Sequence, residues 1–279
     1  MQNISAPKNV VLTGIPRSGT TLTCHLLNKL SDTVALHEPL IPLDLRELDG
    51  FGLVEYVANY FQEQRRQILQ QGTATSKSFG GQVPDNPLAG IDPLTGKRFR
   101  VLNGRMITID KTLSEDFCLV IKQPAFFTAI LENLVAANYF NCFAVIRNPL
   151  SVLLSWNTVE MPVAQGRVPA AEAFDGQLRQ NLDNIPDLYD RQVFLLNWFL
   201  QKYIDHLPRE NIIFYEQTIQ SGGESLKCIQ PSAQFLSESL SSKNTNALYN
   251  QELKEMLKSK LLKTKEGAFW EFYSKADLV

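Results

Sequence analysis

Residues 10–30 read VVLTGIPRSGTTLTCHLLNKL, and the reading of this stretch decides the fold. Residues 10–13 form the apolar, β-branched run that a buried strand needs. Residues 14–19 turn the chain with two glycines, a proline and a serine. From Thr20 onward, Leu22, Leu26, Leu27 and Leu30 recur at helical spacing and so share one face. Strand, glycine loop and helix in that order gather backbone N–H groups and the positive end of a helix around one point, a cradle for an anion.

The spacing departs from a nucleotide triphosphatase loop at one place. Gly14 and Gly19 stand where that loop has its glycines, but Thr20 replaces the lysine that reaches the β- and γ-phosphates. A different cation, Arg17, lies inside the loop, and its guanidinium forks naturally onto anionic oxygens. Ser18, Gly19, Thr20 and Thr21 add N–H and hydroxyl donors. The expected ligand is an anion other than a magnesium-bound triphosphate. A ligand-free turn would not need the arginine, the serine and both threonines together.

Composition bounds the remaining classes. The 279 residues are 44% hydrophobic, enough for a substantial core in one large α/β domain. A net charge of −2 argues against a nucleic-acid or membrane partner, while leaving room for a local basic pocket. The first residues, MQNISAPKNV, hold no apolar leader, and no long apolar run follows, so the expectation is a cytoplasmic protein. Cys24, Cys118, Cys142 and Cys228 are far apart and read as reduced, mostly buried thiols. His25, His37 and His206 are equally scattered, so no metal is expected.

Further along, short apolar runs alternate with helical patterns. Residues 33–36, 118–122, 142–146 and 211–215 read as strands; 51–71, 125–137, 150–158, 188–207 and a lysine-rich 247–263 read as helices. Residues 70–92 are rich in small polar residues and read as a mobile loop. Two alternating runs around Asn103-Gly104 predict a hairpin over 98–110. Residues 237–246 read as a polar loop. Strands alternating with helices imply an α/β fold with a mostly parallel central sheet covered on both faces. An insertion over about 70–115 and the segment 161–187 are candidate lids over an acceptor. Ligands of such sheets bind beyond the carboxyl ends of the strands. There the sequence places the 14–21 loop, His37-Glu38, Lys122, Arg147 and Tyr215-Glu216. Cations, a carboxylate and an N–H cradle in one crevice suit a multiply anionic donor and an acceptor that loses a proton.

The pattern resembles the sulfotransferases that use 3′-phosphoadenosine 5′-phosphosulfate (PAPS). Residues 15–22, IPRSGTTL, are similar to their 5′-phosphosulfate loop in the arginine form of tyrosylprotein and many bacterial members. Arg147-Asn148-Pro149, with Ser155 eight residues after the arginine, is similar to their 3′-phosphate motif. The resemblance implies a P-loop-like sulfotransferase fold and PAPS as co-substrate. It also implies phosphosulfate contacts from Arg17, Ser18, Gly19, Thr20 and Thr21, and 3′-phosphate contacts from Arg147 and Ser155. Tyr215 would lie near the adenine, segments 241–244 and 267–270 would close over the nucleotide, and Lys122 would approach the bridging oxygen.

Two residues compete as the base. Glu38 stands 21 residues after Arg17, the spacing of the glutamate in tyrosylprotein sulfotransferases, and burial is expected to raise its pKa. His37 has the better ordinary pKa, about 6.5. Neighbours on a strand point to opposite faces, so one of the two faces the crevice, and Glu38 is preferred. The acceptor is expected to be a hydroxyl or amine of a metabolite or natural product. A carbohydrate or protein tyrosine, a P-loop kinase and a non-catalytic nucleotide-binding protein are the alternatives. The sequence does not fix the oligomeric state.

Overall fold

The computed structural model describes residues 8–94, 98–246 and 248–278. The 10–30 stretch folds as read: strand β1 (Asn9–Gly14), a loop, then helix α1 (Thr20–Leu27). Strand β2 (Thr33–His37) follows, then helix α2 (Gly50–Gln71), capped by the Asp49 carboxylate at Gly52 N–H. Next come β3 (Thr73–Ser78), β4 (Gly90–Ile91), β5 (Arg98–Phe99) and β6 (Gly104–Thr108). Strand β7 (Cys118–Lys122) leads into helices α3 (Pro124–Ala129) and α4 (Leu131–Ala137), and β8 (Asn141–Ile146) into α5 (Pro149–Trp156). Helices α6 (Pro169–Glu172), α7 (Gly176–Asp183) and α8 (Leu188–His206) precede β9 (Ile212–Phe214), α9 (Tyr215–Gln220) and α10 (Gln251–Lys263).

The central sheet has five strands in the order β2-β7-β1-β8-β9, and every neighbouring pair is parallel. Helices lie against it, α1 on β2 and α3 on β1 among them, so β2 and β7 are buried along their whole length. Strands covered on both faces read as continuous apolar runs, which is why these five were visible in the sequence. The register aligns the carboxyl ends: Leu12 and His37 both lie opposite Lys122, and Gly14 lies opposite Val145. No described helix is long and apolar enough to cross a membrane.

Five expectations are corrected. The Asn103-Gly104 hairpin does not form: β5 pairs with β4, and β6 pairs antiparallel with β3. Gly104 is there for close approach, since a Cβ on it would lie 2.6 Å from Ser78 Oγ. The expected loop over 70–92 accordingly contains β3, whose Ala74, Ser76 and Ser78 are buried in alternation. The helix over 125–137 is broken at Ile130 into α3 and α4. Tyr215 opens α9 instead of ending a strand. The lysine-rich helix starts at Gln251, where Asn250 caps it by accepting from Leu253 N–H; Ala247, the first residue of the expected helix, lies outside the described residues.

Candidate active site

The loop after β1 is built by close contacts to β8, α5 and α9. Gly19 has φ +94°, and a Cβ there would lie 2.6 Å from the Tyr215 ring, so only glycine lets that ring pack on the loop. Ser18 Oγ donates to Val145 O at 2.7 Å, and Trp156 Nε1 donates to Pro16 O at 2.8 Å. The Ser18 hydroxyl is thus committed to the fold, and Ser18 does not line the cavity as the sequence suggested. No side chain caps α1, so its first N–H groups remain for a ligand. Arg17 adopts φ +73°, a left-handed conformation costly for a side chain of its size. Its Nε donates to Ser155 Oγ at 3.2 Å, which joins the two motifs directly. Burial, then the charges of Arg147 and Arg98, push the Arg17 guanidinium down to about 10, and it remains a cation at neutral pH.

Glu38 is also in the left-handed region, at φ +43°. Its N–H donates to Lys122 O, and its carboxylate sits between two lysines: Lys122 Nζ at 2.7 Å from Oε1 and Lys77 Nζ at 2.7 Å from Oε2. Burial pushes the carboxyl up, but Lys122, His37 and Lys77 together outweigh it and hold the pKa well below the usual carboxylate range. The expected rise is therefore reversed, by Lys122 first and by Lys77 arriving from β3 as well. Lys122 Nζ also lies 3.4 Å from Thr21 Oγ1, so one ammonium touches both the carboxylate and the glycine loop. Burial lowers the Lys122 pKa, against the opposing pull of Glu38.

Of the two candidate bases, Glu38 lines the cavity and His37 does not. His37 is 2% exposed, both ring nitrogens lack a partner, and burial followed by Lys122 pushes its imidazole down to about 3. The neighbours part at the end of β2: His37 is its last residue and stays in the core, while Glu38 leaves the strand in a left-handed conformation and lines the cavity.

Arg147, just past β8, is held in place by its own chain and still lines the cavity. Nε donates to Asn244 Oδ1 at 2.8 Å, Nη1 to Arg17 O at 3.0 Å, and Nη2 to Lys243 O, while the guanidinium lies 4.7 Å over the Tyr215 ring. Tyr215 Oη accepts from Lys243 N–H at 2.9 Å. The neighbouring Glu216 accepts from Asn148 N–H, Asn244 Nδ2 and Tyr273 Oη at 2.9–3.0 Å, tying α5, the 241–246 loop and the tail together.

These groups face one cavity of about 410 Å³ at the carboxyl end of the sheet. Arg17, Gly19, Thr20, Thr21, Glu38, Lys122, Arg147, Ser155 and Tyr215 all line it. Both candidate lids reach it, through Asp85–Leu88 and Arg98 in one and Met161–Val163 with residues 167–170 in the other. The sequence reading missed Lys77, Arg98 and Tyr249. For Lys77 a signal existed, the small–polar alternation of TATSKS; for Arg98 and Tyr249 there was none.

No protein-family model and no curated protein matches the chain. Among solved structures it is similar to a sulfotransferase from Alicyclobacillus acidocaldarius, with 13% identity over 98% of this chain and 99% of that one and a TM-score of 0.45. It is also similar to the sulfotransferase STF9 from Mycobacterium avium, with 12% identity over 94% of this chain and 77% of that one and a TM-score of 0.40.

Proposed function

We propose that the protein is a sulfotransferase that moves a sulfuryl group from PAPS to a hydroxyl or amine of a small-molecule acceptor, releasing adenosine 3′,5′-bisphosphate. The observation that carries this reading is the convergence of Arg17, Thr20, Thr21, Lys122, Glu38 and Arg147 on one cavity, in a loop that has Thr20 where a triphosphatase has lysine. Two arginine sites on adjoining strand ends suit a donor with phosphate at both ends better than a single triphosphate chain.

The transfer is an in-line displacement at sulfur. The acceptor oxygen or nitrogen forms a bond to sulfur while the bond from sulfur to the bridging phosphate oxygen breaks. The departing bisphosphate keeps that electron pair, and the acceptor proton passes to the Glu38 carboxylate. Arg17 and Lys122 stand where negative charge gathers on the leaving oxygen, and the loop N–H groups orient the phosphate without reorganising. Glu38 between two lysines is a weak base, so the acceptor group has to displace a lysine from one oxygen. Lys122 touches both Glu38 and Thr21, and its movement toward the donor would free Oε1 and raise the basicity of the carboxylate at the same time.

Isothermal titration with adenosine 3′,5′-bisphosphate tests the donor. Arg17→Ala and Arg147→Ala are each expected to weaken binding by roughly tenfold or more, the loss of a charge-assisted hydrogen bond. Unchanged affinity in both variants would overturn the reading. Glu38→Gln should keep the affinity and lose turnover of PAPS with an acceptor.

A further inference from the structure

The proposed transfer gives no role to two arginines of the cavity, Arg98 and Arg167, and Arg167 is ion-paired with Glu172 and Asp183. The Arg98 backbone is pinned, the N–H donating to Thr158 O at 2.9 Å and the residue bridging to Val159. The side chain lines the cavity, and Nε is buried without a hydrogen-bond partner. Among the described residues no carboxylate pairs with it. The other cations of the cavity are engaged: Lys122 on Glu38, Arg147 on the 243–244 loop and Arg17 O, Arg167 on Glu172 and Asp183, Lys243 on Ser241, and Arg17 on Ser155. The acids that line the cavity are Glu38, held between its lysines, and Asp85, which is exposed. A buried cationic N–H with no acceptor is costly, and an incoming anion offsets that cost. The wall contributed by Met161, Pro162, Val163, Phe126 and Val168 is apolar.

We propose that Arg98 is the anion-binding end of the acceptor subsite, so that the acceptor carries a singly charged oxyanion on an apolar body. A carboxylate is the planar match for the guanidinium fork. This rests on the donor reading above, in which Arg17, Arg147, Lys122 and the loop already serve the phosphosulfate and the 3′-phosphate. Arg98 belongs to the inserted segment, away from the sheet, and sets acceptor choice without taking part in the bond exchange.

Arginine footprinting of the wild-type protein with phenylglyoxal, read by peptide mass spectrometry, tests it. Adenosine 3′,5′-bisphosphate is expected to protect Arg17 and leave Arg98 reactive. Adding benzoate to that complex is expected to slow modification of Arg98 by about tenfold, and benzamide, the neutral isostere, to leave it unchanged. Protection of Arg98 by the bisphosphate alone would assign it to the donor and overturn the proposal. Equal protection by benzamide, or none by benzoate, would also overturn it. Failure of the bisphosphate to protect Arg17 would instead strike the donor reading, while the benzoate and benzamide arms still report on Arg98.

Discussion

His37 has both ring nitrogens buried without a partner, and burial beside Lys122 pushes its imidazole down to about 3 from the ordinary 6.5. The unfolded chain takes up a proton below pH 6.5 and the folded chain does not, so stability is full above that pH and falls as the pH drops toward 3. Urea unfolding should show a loss of about 2 kcal/mol between pH 6.5 and pH 5, and His37→Leu should flatten that slope. Glu38 acts in a lower window: its depressed pKa gives stability present above about 4.5 that is lost as pH falls through the folded value. Lys77→Met removes one of the two ammonium groups on the Glu38 carboxylate, so the carboxyl pKa rises. The acid limb of the pH–rate profile should move to higher pH, with bisphosphate affinity unchanged. At this scale, that one of the neighbours Glu38 and His37 would face the cavity was legible in the sequence; that Glu38 leaves β2 through a left-handed conformation was not. The Glu38 pKa was not, because its second lysine comes from 39 residues downstream in a stretch with no apolar signal.

At the scale of elements, the buried parallel strands were legible and the small antiparallel ones were not. A strand covered on both faces writes itself as an apolar run, whereas β3 hides in TATSKS, where the buried positions are alanine and serine. Asn103-Gly104 misled for a related reason: glycine was read for its freedom to turn, while here it is needed for its missing side chain beside Ser78. Gly104→Ala should destabilise the protein by about 1–2 kcal/mol through overpacking. Ser78→Ala removes the Oγ that the new methyl meets, so the double variant should be more stable than the sum of the two singles. Chemical denaturation of the four proteins measures this, and simple additivity would count against the β3–β6 register.

Across the whole molecule, distant parts of the chain are tied at Glu216, which receives hydrogen bonds from Asn148, Asn244 and Tyr273. Glu216→Leu leaves three donors unpaired and should lower the unfolding free energy by about 3 kcal/mol. It should also expose the 241–246 loop to proteolysis faster than the rest of the chain. Tyr215-Glu216 was recognisable in sequence by its place after a late strand, but its partners were not, since they lie 28 to 68 residues away. The sheet order places β1 in the middle, with β8 and β9 to one side and β7 and β2 to the other. Under the proposed function, the donor-binding residues follow β1, β8 and β9; the proposed proton-handling pair is Glu38, just after β2, and Lys122, the last residue of β7, with Arg98 in the segment between those two strands. Inheritance can therefore act on the two halves separately. A lineage that edits the β2–β7 edge and its inserted segment changes what is modified while keeping the same activated currency, and a designer can graft a new specificity at that edge without rebuilding the nucleotide grip.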